Sequence, residues 1–164
     1  PWAKVIFALA TLLLILFKNH VVSRAAHRSL TNTKLNLPFD TRFTYVFTML
    51  ECLIEVKEEV CQSFSLPRFR AWLSHQSLEK KAEIATLRRN VEDDAWWDKV
   101  AHLAVLMLPV VQLLAASNTH GGFVADVYVK MLDLCAEYDA DSPLAEKGVP
   151  ADKLRDVKKV SHAC

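Results

Sequence analysis

Apolar residues at Phe43, Val46, Phe47, Leu50, Leu53, Ile54 and Val60 follow a three-and-four spacing, which only a helix gathers on one face. Val100, Leu103, Ala104, Met107, Val111 and Leu114 repeat that spacing, and so do Phe123, Val127, Tyr128, Met131, Leu132, Cys135 and Tyr138. Three Gly and six Pro in 164 residues leave little turn chemistry for a sheet, and the Leu/Ala/Val/Lys/Glu bias favours helix. The expected fold is all-α, an irregular array of about six helices, with 52% hydrophobic residues to fill one domain's core.

The breaks fall where local chemistry demands them. A first helix is expected from Trp2 to about His27, apolar on every side from Val5 to Phe17 apart from Thr11 and therefore buried on several sides. Ser29 to Pro38 reads as a loop, because Thr, Asn and Pro compete with helix formation. A second helix is expected over 41–62, started by Asp40 or Thr41 as cap and carrying Glu51, Glu55, Glu58 and Glu59 outward. Phe64-Ser65-Leu66-Pro67 ends it, Pro67 opens a short helix to about residue 75, and a more polar helix runs from Ser77 to about Asn90. Glu92-Asp93-Asp94 supplies acid for the next helix start, Pro109 should kink or split that helix, and residues 117–122 form a turn. From Asp139 the periodicity fades into a loose tail with at most one short helix. The division is 1–37, a buried helix and loop; 38–138, the main helical region; and 139–164, the tail.

Little of this carries recognisable catalytic chemistry. Cys52, Cys61, Cys135 and Cys164 form no CxxC pair and no secretory leader precedes them, which fits reduced thiols in an intracellular protein. Cys52 and Cys61 lie about 13 Å apart along one helix, too far for a disulfide. The six histidines have no metal-site spacing, and phosphate-loop, serine-hydrolase and zincin motifs are missing from the sequence. The apolar stretch of residues 5–17 is shorter than the roughly 20 residues of a span and is flanked by Lys4, Lys18, His20, Arg24 and Arg28, so a membrane role is not expected. Residues 1–42 and 66–92 are net positive and the rest net negative, which places an anion-binding surface on the first and third blocks or, alternatively, solvated helix faces throughout.

Arg42 and Phe43 are singled out because a cation in a helix's first turn opposes the helix dipole. Asp40, a nearby Glu or a bound anion must balance Arg42, while Phe43 serves either as core or as a stacking face. Arg68-Phe69-Arg70-Ala71-Trp72 interleaves base and aromatic as nucleic-acid binders do, and Lys80, Lys81, Arg88 and Arg89 extend it; an ordinary solvated helix pair has the same composition. Trp96 and Trp97, about 100° apart on a helix, are expected to divide between the core and the cap of a neighbouring helix.

Three elements in order resemble the hAT superfamily of DNA transposases, especially plant-type members with a domain of unknown function before the dimerisation region. They are Phe17-Lys18-Asn19-His20 with Arg28 behind; Asp40-Thr41-Arg42-Phe43 followed by Met49-Leu50; and Trp96-Trp97-Asp98-Lys99-Val100, Pro109 and Val127-Tyr128-Val129-Lys130-Met131. The resemblance spans residues 1–138. It implies an RNase H-like core interrupted by a helical insertion, with residues 1–37 at the end of that core. It also implies a nuclear DNA-cutting parent enzyme whose three carboxylates hold divalent metal such as Mg. None of the three acids has a counterpart at a matching position, and the chain starts at Pro1, so the expectation is a transposase fragment without catalytic residues, cofactor or the family's C-terminal dimerisation segment. The DNA contacts it implies fall on Arg42 and Phe43, to which the composition reading adds Arg68, Arg70, Trp72, Arg88 and Arg89. The family has Trp or Phe at the position of Phe43, and Phe keeps a stacking face while losing the indole donor of Trp. The alternative is a helical interaction or scaffold protein, or a decayed transposon remnant.

Overall fold

The computed structural model describes residues 2–31, 33, 35, 43–117, 124–138, 149, 150, 152 and 154. Among these the chain forms eight helices and no strand, which is the all-α class expected. The helices are α1 (Trp2–Asn19), α2 (Val21–Arg28), α3 (Phe43–Glu55), α4 (Lys57–Ser63), α5 (Pro67–Ser74), α6 (Leu78–Val91), α7 (Asp94–Ser117) and α8 (Val124–Glu137). They divide into two compact units, residues 1–101 and 102–164, and α7 passes from one to the other.

Eight helices stand where about six were expected because each of the first two expected helices is interrupted by one residue. His20 leaves the helical region at φ −95°, ψ 121°, and the chain restarts as α2 with the Arg24 N–H on the His20 carbonyl at 2.9 Å. Val56 departs less, at φ −102°, ψ 21°, and the backbone ladder runs on through it, Val56 N–H to Cys52 O and Val60 N–H to Val56 O. Two expected boundaries hold closely. Pro67 is at the start of α5, and Ser77 caps α6 by accepting the Lys80 N–H at 3.2 Å.

The first unit's core is an aromatic hub. Phe17, at the end of α1, lies 5.5 Å edge-on from Phe64, 6.4 Å from Phe69 and 5.7 Å from the His27 ring. One side chain thereby ties α1 to α2, to the residue that closes α4, and to α5. Around it Leu13, Leu14, Leu16, Met49, Leu50, Leu53, Val56, Val60 and Ile84 are buried. The helix stripes explain these: Phe47, Leu50 and Leu53 on α3, and Ile84, Leu87 and Val91 on α6. The expectation that α1 is buried on several sides is not met, since Val5 is 57% and Leu12 40% exposed. Nor is α1 short: it has 18 residues of mean hydropathy 1.7, and with Asp94–Ala115 (mean hydropathy 1.5) it is one of two helices among the described residues long and apolar enough to cross a membrane.

Trp96 and Trp97 are both buried, packed edge to face at 4.8 Å. Sequence spacing separates their directions, but the turn of Glu92-Asp93 before α7 brings α6 back over them. Trp97 donates its indole N–H to the Val91 carbonyl at 2.8 Å, and the Cys61 thiol reaches the same oxygen at 3.4 Å, so the C-terminus of α6 is capped by two side chains. Lys57 meets Asp94 at 2.6 Å with its ammonium 5.7 Å from the Trp97 ring centre; the hydrogen bond to Asp94 raises the Lys57 pKa, and burial raises that of Cys61.

In the second unit α7 runs unbroken through Pro109. The Tyr138 hydroxyl donates to the Leu106 carbonyl at 2.6 Å, and Ala104, Leu106, Met107 and Tyr138 are buried. Val149 and Leu154, within the segment expected to be loose, are also buried, and the Leu154 N–H bonds the Pro150 carbonyl.

Candidate anion-binding cleft

The interruption at His20 turns the end of α1 back along α2 and brings two short basic segments together. Between them lies a cleft of about 240 Å³ lined by Phe17, Lys18, Arg24, His27, Arg28, Thr33 and Leu35. Arg24 and Arg28 are one helical turn apart, so they project from the same side of α2, and both are exposed. Among the described residues no carboxylate lines the cleft and none pairs with Arg24 or Arg28. Elsewhere on α2, Ser23 and Ala26 are buried, and the helix packs on α4 and α5.

His27 is the unusual member of the lining. It is 3% exposed, and its Nε2 has no hydrogen-bond partner, as is also true of the Ser23 Oγ one turn earlier. Burial lowers the His27 pKa, which the Glu59 charge from α4 partly offsets, so the environment favours the neutral imidazole. A helix C-terminus favours cations, and here Arg28 and His27 occupy the last turn of α2.

Of the residues expected to touch DNA, Arg42 lies outside the described residues, as do Asp40 and Thr41, and Phe43 is described only as the first residue of α3. Arg68 and Arg70 flank the buried Phe69 and, two positions apart, leave α5 in nearly opposite directions. Arg68 reaches the last turn of α2, its Nη1 donating to the Ala25 carbonyl at 3.4 Å. Trp72 is half-buried, in contact with Phe69 at 5.4 Å and with the His20 ring at 5.2 Å, and serves the hub. On α6, Arg88 is paired with Glu92 at 2.7 Å and Arg89 is exposed.

Lys18, Arg24 and Arg28 were visible in the sequence as the basic flank of an apolar stretch, and Lys18 and Arg28 also as part of the first transposase-like motif. The readable signal was the i,i+4 spacing of the two arginines, which becomes a site once α2 is a separate helix. Among the described residues no three of His, Cys, Asp and Glu gather into a group that could hold a metal ion, so the divalent-metal chemistry implied by the transposase resemblance finds no donor set there. No protein-family model, curated protein or solved structure matches the chain. The resemblance to hAT transposases therefore stands on its sequence motifs alone.

Proposed function

We propose that this chain is a helical, DNA-contacting piece of a hAT-type transposase, with residues 1–37 from the end of an RNase H-like core, the following helices from its insertion, and no catalysis of its own. The observation that carries the DNA contact is the cleft: Lys18, Arg24 and Arg28 on one side of α1 and α2, with Arg68 docked on the α2 end, and no acid among its described lining. Phe17, Lys18 and Arg28 belong to the first of the three matched motifs, which is why the motif reading and the charge reading support one another. Unpaired guanidinium groups on a helix end attract backbone phosphates, release counterions and give a salt-dependent affinity. The chain acts in the nucleus, off the membrane; carbonate extraction of the expressed chain tests the membrane part against α1 and α7.

The DNA reading is tested by fluorescence anisotropy with a duplex and a hairpin oligonucleotide across a salt series. Affinity that falls steeply with salt supports it, and no binding at low salt overturns it. A second reading, a helical interaction protein without a DNA role, is favoured by α8, where Val129, Met131 and Leu132 are each more than half exposed.

A further inference from the structure

We propose that the cleft between the end of α1 and α2 is a binding site for a phosphomonoester, a terminal phosphate carried on a small apolar or aromatic group. This goes beyond contact with a continuous DNA backbone. A backbone phosphodiester brings one negative charge, whereas a phosphomonoester carries about −1.5 to −2 at pH 7 and offers three acceptor oxygens. Lys18, Arg24 and Arg28 surround one small volume, and the two arginines have no acid partner among the described residues, so the cleft matches the doubly charged group better. Its size points the same way. At about 240 Å³ it falls just below the roughly 300 Å³ at which pockets for drug-sized ligands begin, enough for a small molecule or a strand end. A duplex can touch Arg24 and Arg28 at the rim and cannot enter.

The rest of the lining fits such a ligand. Phe17 and Leu35 give an apolar wall for the carried group and Thr33 contributes a hydroxyl. His27 is the independent observation: a side chain 97% removed from solvent, lining the cleft, with an Nε2 that no atom of the described residues bonds. Native structures leave few such atoms unpartnered. The charged groups acting at this point are Lys18 on α1, Arg24 and Arg28 on α2, and Glu59 on α4, the last through its field at His27.

A free nucleoside monophosphate and the 5′-phosphate end of a nucleic acid strand share this chemistry. Isothermal titration of the full chain with a nucleoside 5′-monophosphate and with the matching nucleoside tests the proposal. Saturable binding of the monophosphate alone is expected, weakened about tenfold or more in Arg24→Ala/Arg28→Ala and unchanged in Lys4→Ala/Lys99→Ala, which removes the same charge from exposed positions elsewhere. Equal behaviour of nucleoside and monophosphate overturns the proposal, as does wild-type binding by the arginine double variant or an equal loss in the lysine one. A parallel titration with 5′-phosphorylated and 5′-hydroxyl oligonucleotides assigns the source: a preference for the phosphorylated strand supports a strand end, and equal affinity supports a free nucleotide. Binding of the 5′-hydroxyl duplex reports separately on the DNA contact, so either reading can fail without the other.

Discussion

The end of α2 and the helix α6 carry similar basic residues and use them in opposite ways. On α6, Lys80 is held by Glu83 at 2.9 Å and Arg88 by Glu92 at 2.7 Å, one turn apart along a solvated surface. On α2, Arg24 and Arg28 face a cleft with no acid partner among the described residues, beside a buried imidazole whose pKa burial lowers. Charge density by itself does not make an anion site. The acids interleaved along α6 neutralise it locally, while the break at His20 folds two acid-free segments onto each other.

The largest break in this contrast comes from the hub beneath the cleft. Phe17→Ala removes a fully buried ring that contacts α2, α5 and the end of α4, and is expected to cost about 3–5 kcal/mol in urea denaturation. The cleft loses its wall while the α6 ion pairs remain. A smaller effect separates the two regions by pH. His27 titrates near 6.5 when unfolded and lower when folded, so the unfolded chain takes up the proton first. Stability is full above about pH 6.5 and falls as pH drops from there towards the depressed folded value. His27→Gln is expected to flatten that part of the pH–stability curve, and a slope that survives the substitution assigns it to other groups.

Trp97→Phe removes the indole N–H from the Val91 carbonyl and one ring of a buried bicycle, so it is expected to cost more than the about 1 kcal/mol of a hydrogen bond alone, measured by chemical denaturation. It loosens the α6 end without touching α2, so phosphate affinity should not move. Smallest of all, Arg88→Ala is expected to cost about 0.3–0.5 kcal/mol, the worth of an exposed i,i+4 pair. The same variant should change DNA affinity less than twofold, since a paired guanidinium gives up a carboxylate to meet a phosphate.

The helical class was legible because the 3.6 period is written into Phe47, Leu50, Leu53, Val100, Ala104 and Met107, whose burial follows from their spacing. Caps with local chemistry were legible too: Ser77 and Pro67 act within a few residues of their own position. The breaks at His20 and Val56 were not, since neither residue is a helix breaker and both are set by packing, His20 against Trp72 and Val56 in the core. The break at His20 contributes to the cleft, because on a continuous first helix Arg24 and Arg28 would stand about 9 and 15 Å along the axis from Lys18. Trp96 and Trp97 show the same limit, their shared burial coming from the turn before α7 and not from their spacing. Arg68 was legible in the composition, but its place against Ala25 depends on how α5 crosses α2.

The central claim, that acid-free arginines at the end of α2 and not the paired ones of α6 meet phosphate, is tested most directly by the salt dependence of DNA affinity. With a 5′-hydroxyl hairpin, the slope of log K against log salt should shrink by about 1.4–1.8 in Arg24→Ala/Arg28→Ala, because two phosphates are no longer neutralised, and stay at the wild-type value in Arg88→Ala. An unchanged slope in the double variant, or an equal decrease in Arg88→Ala, contradicts it.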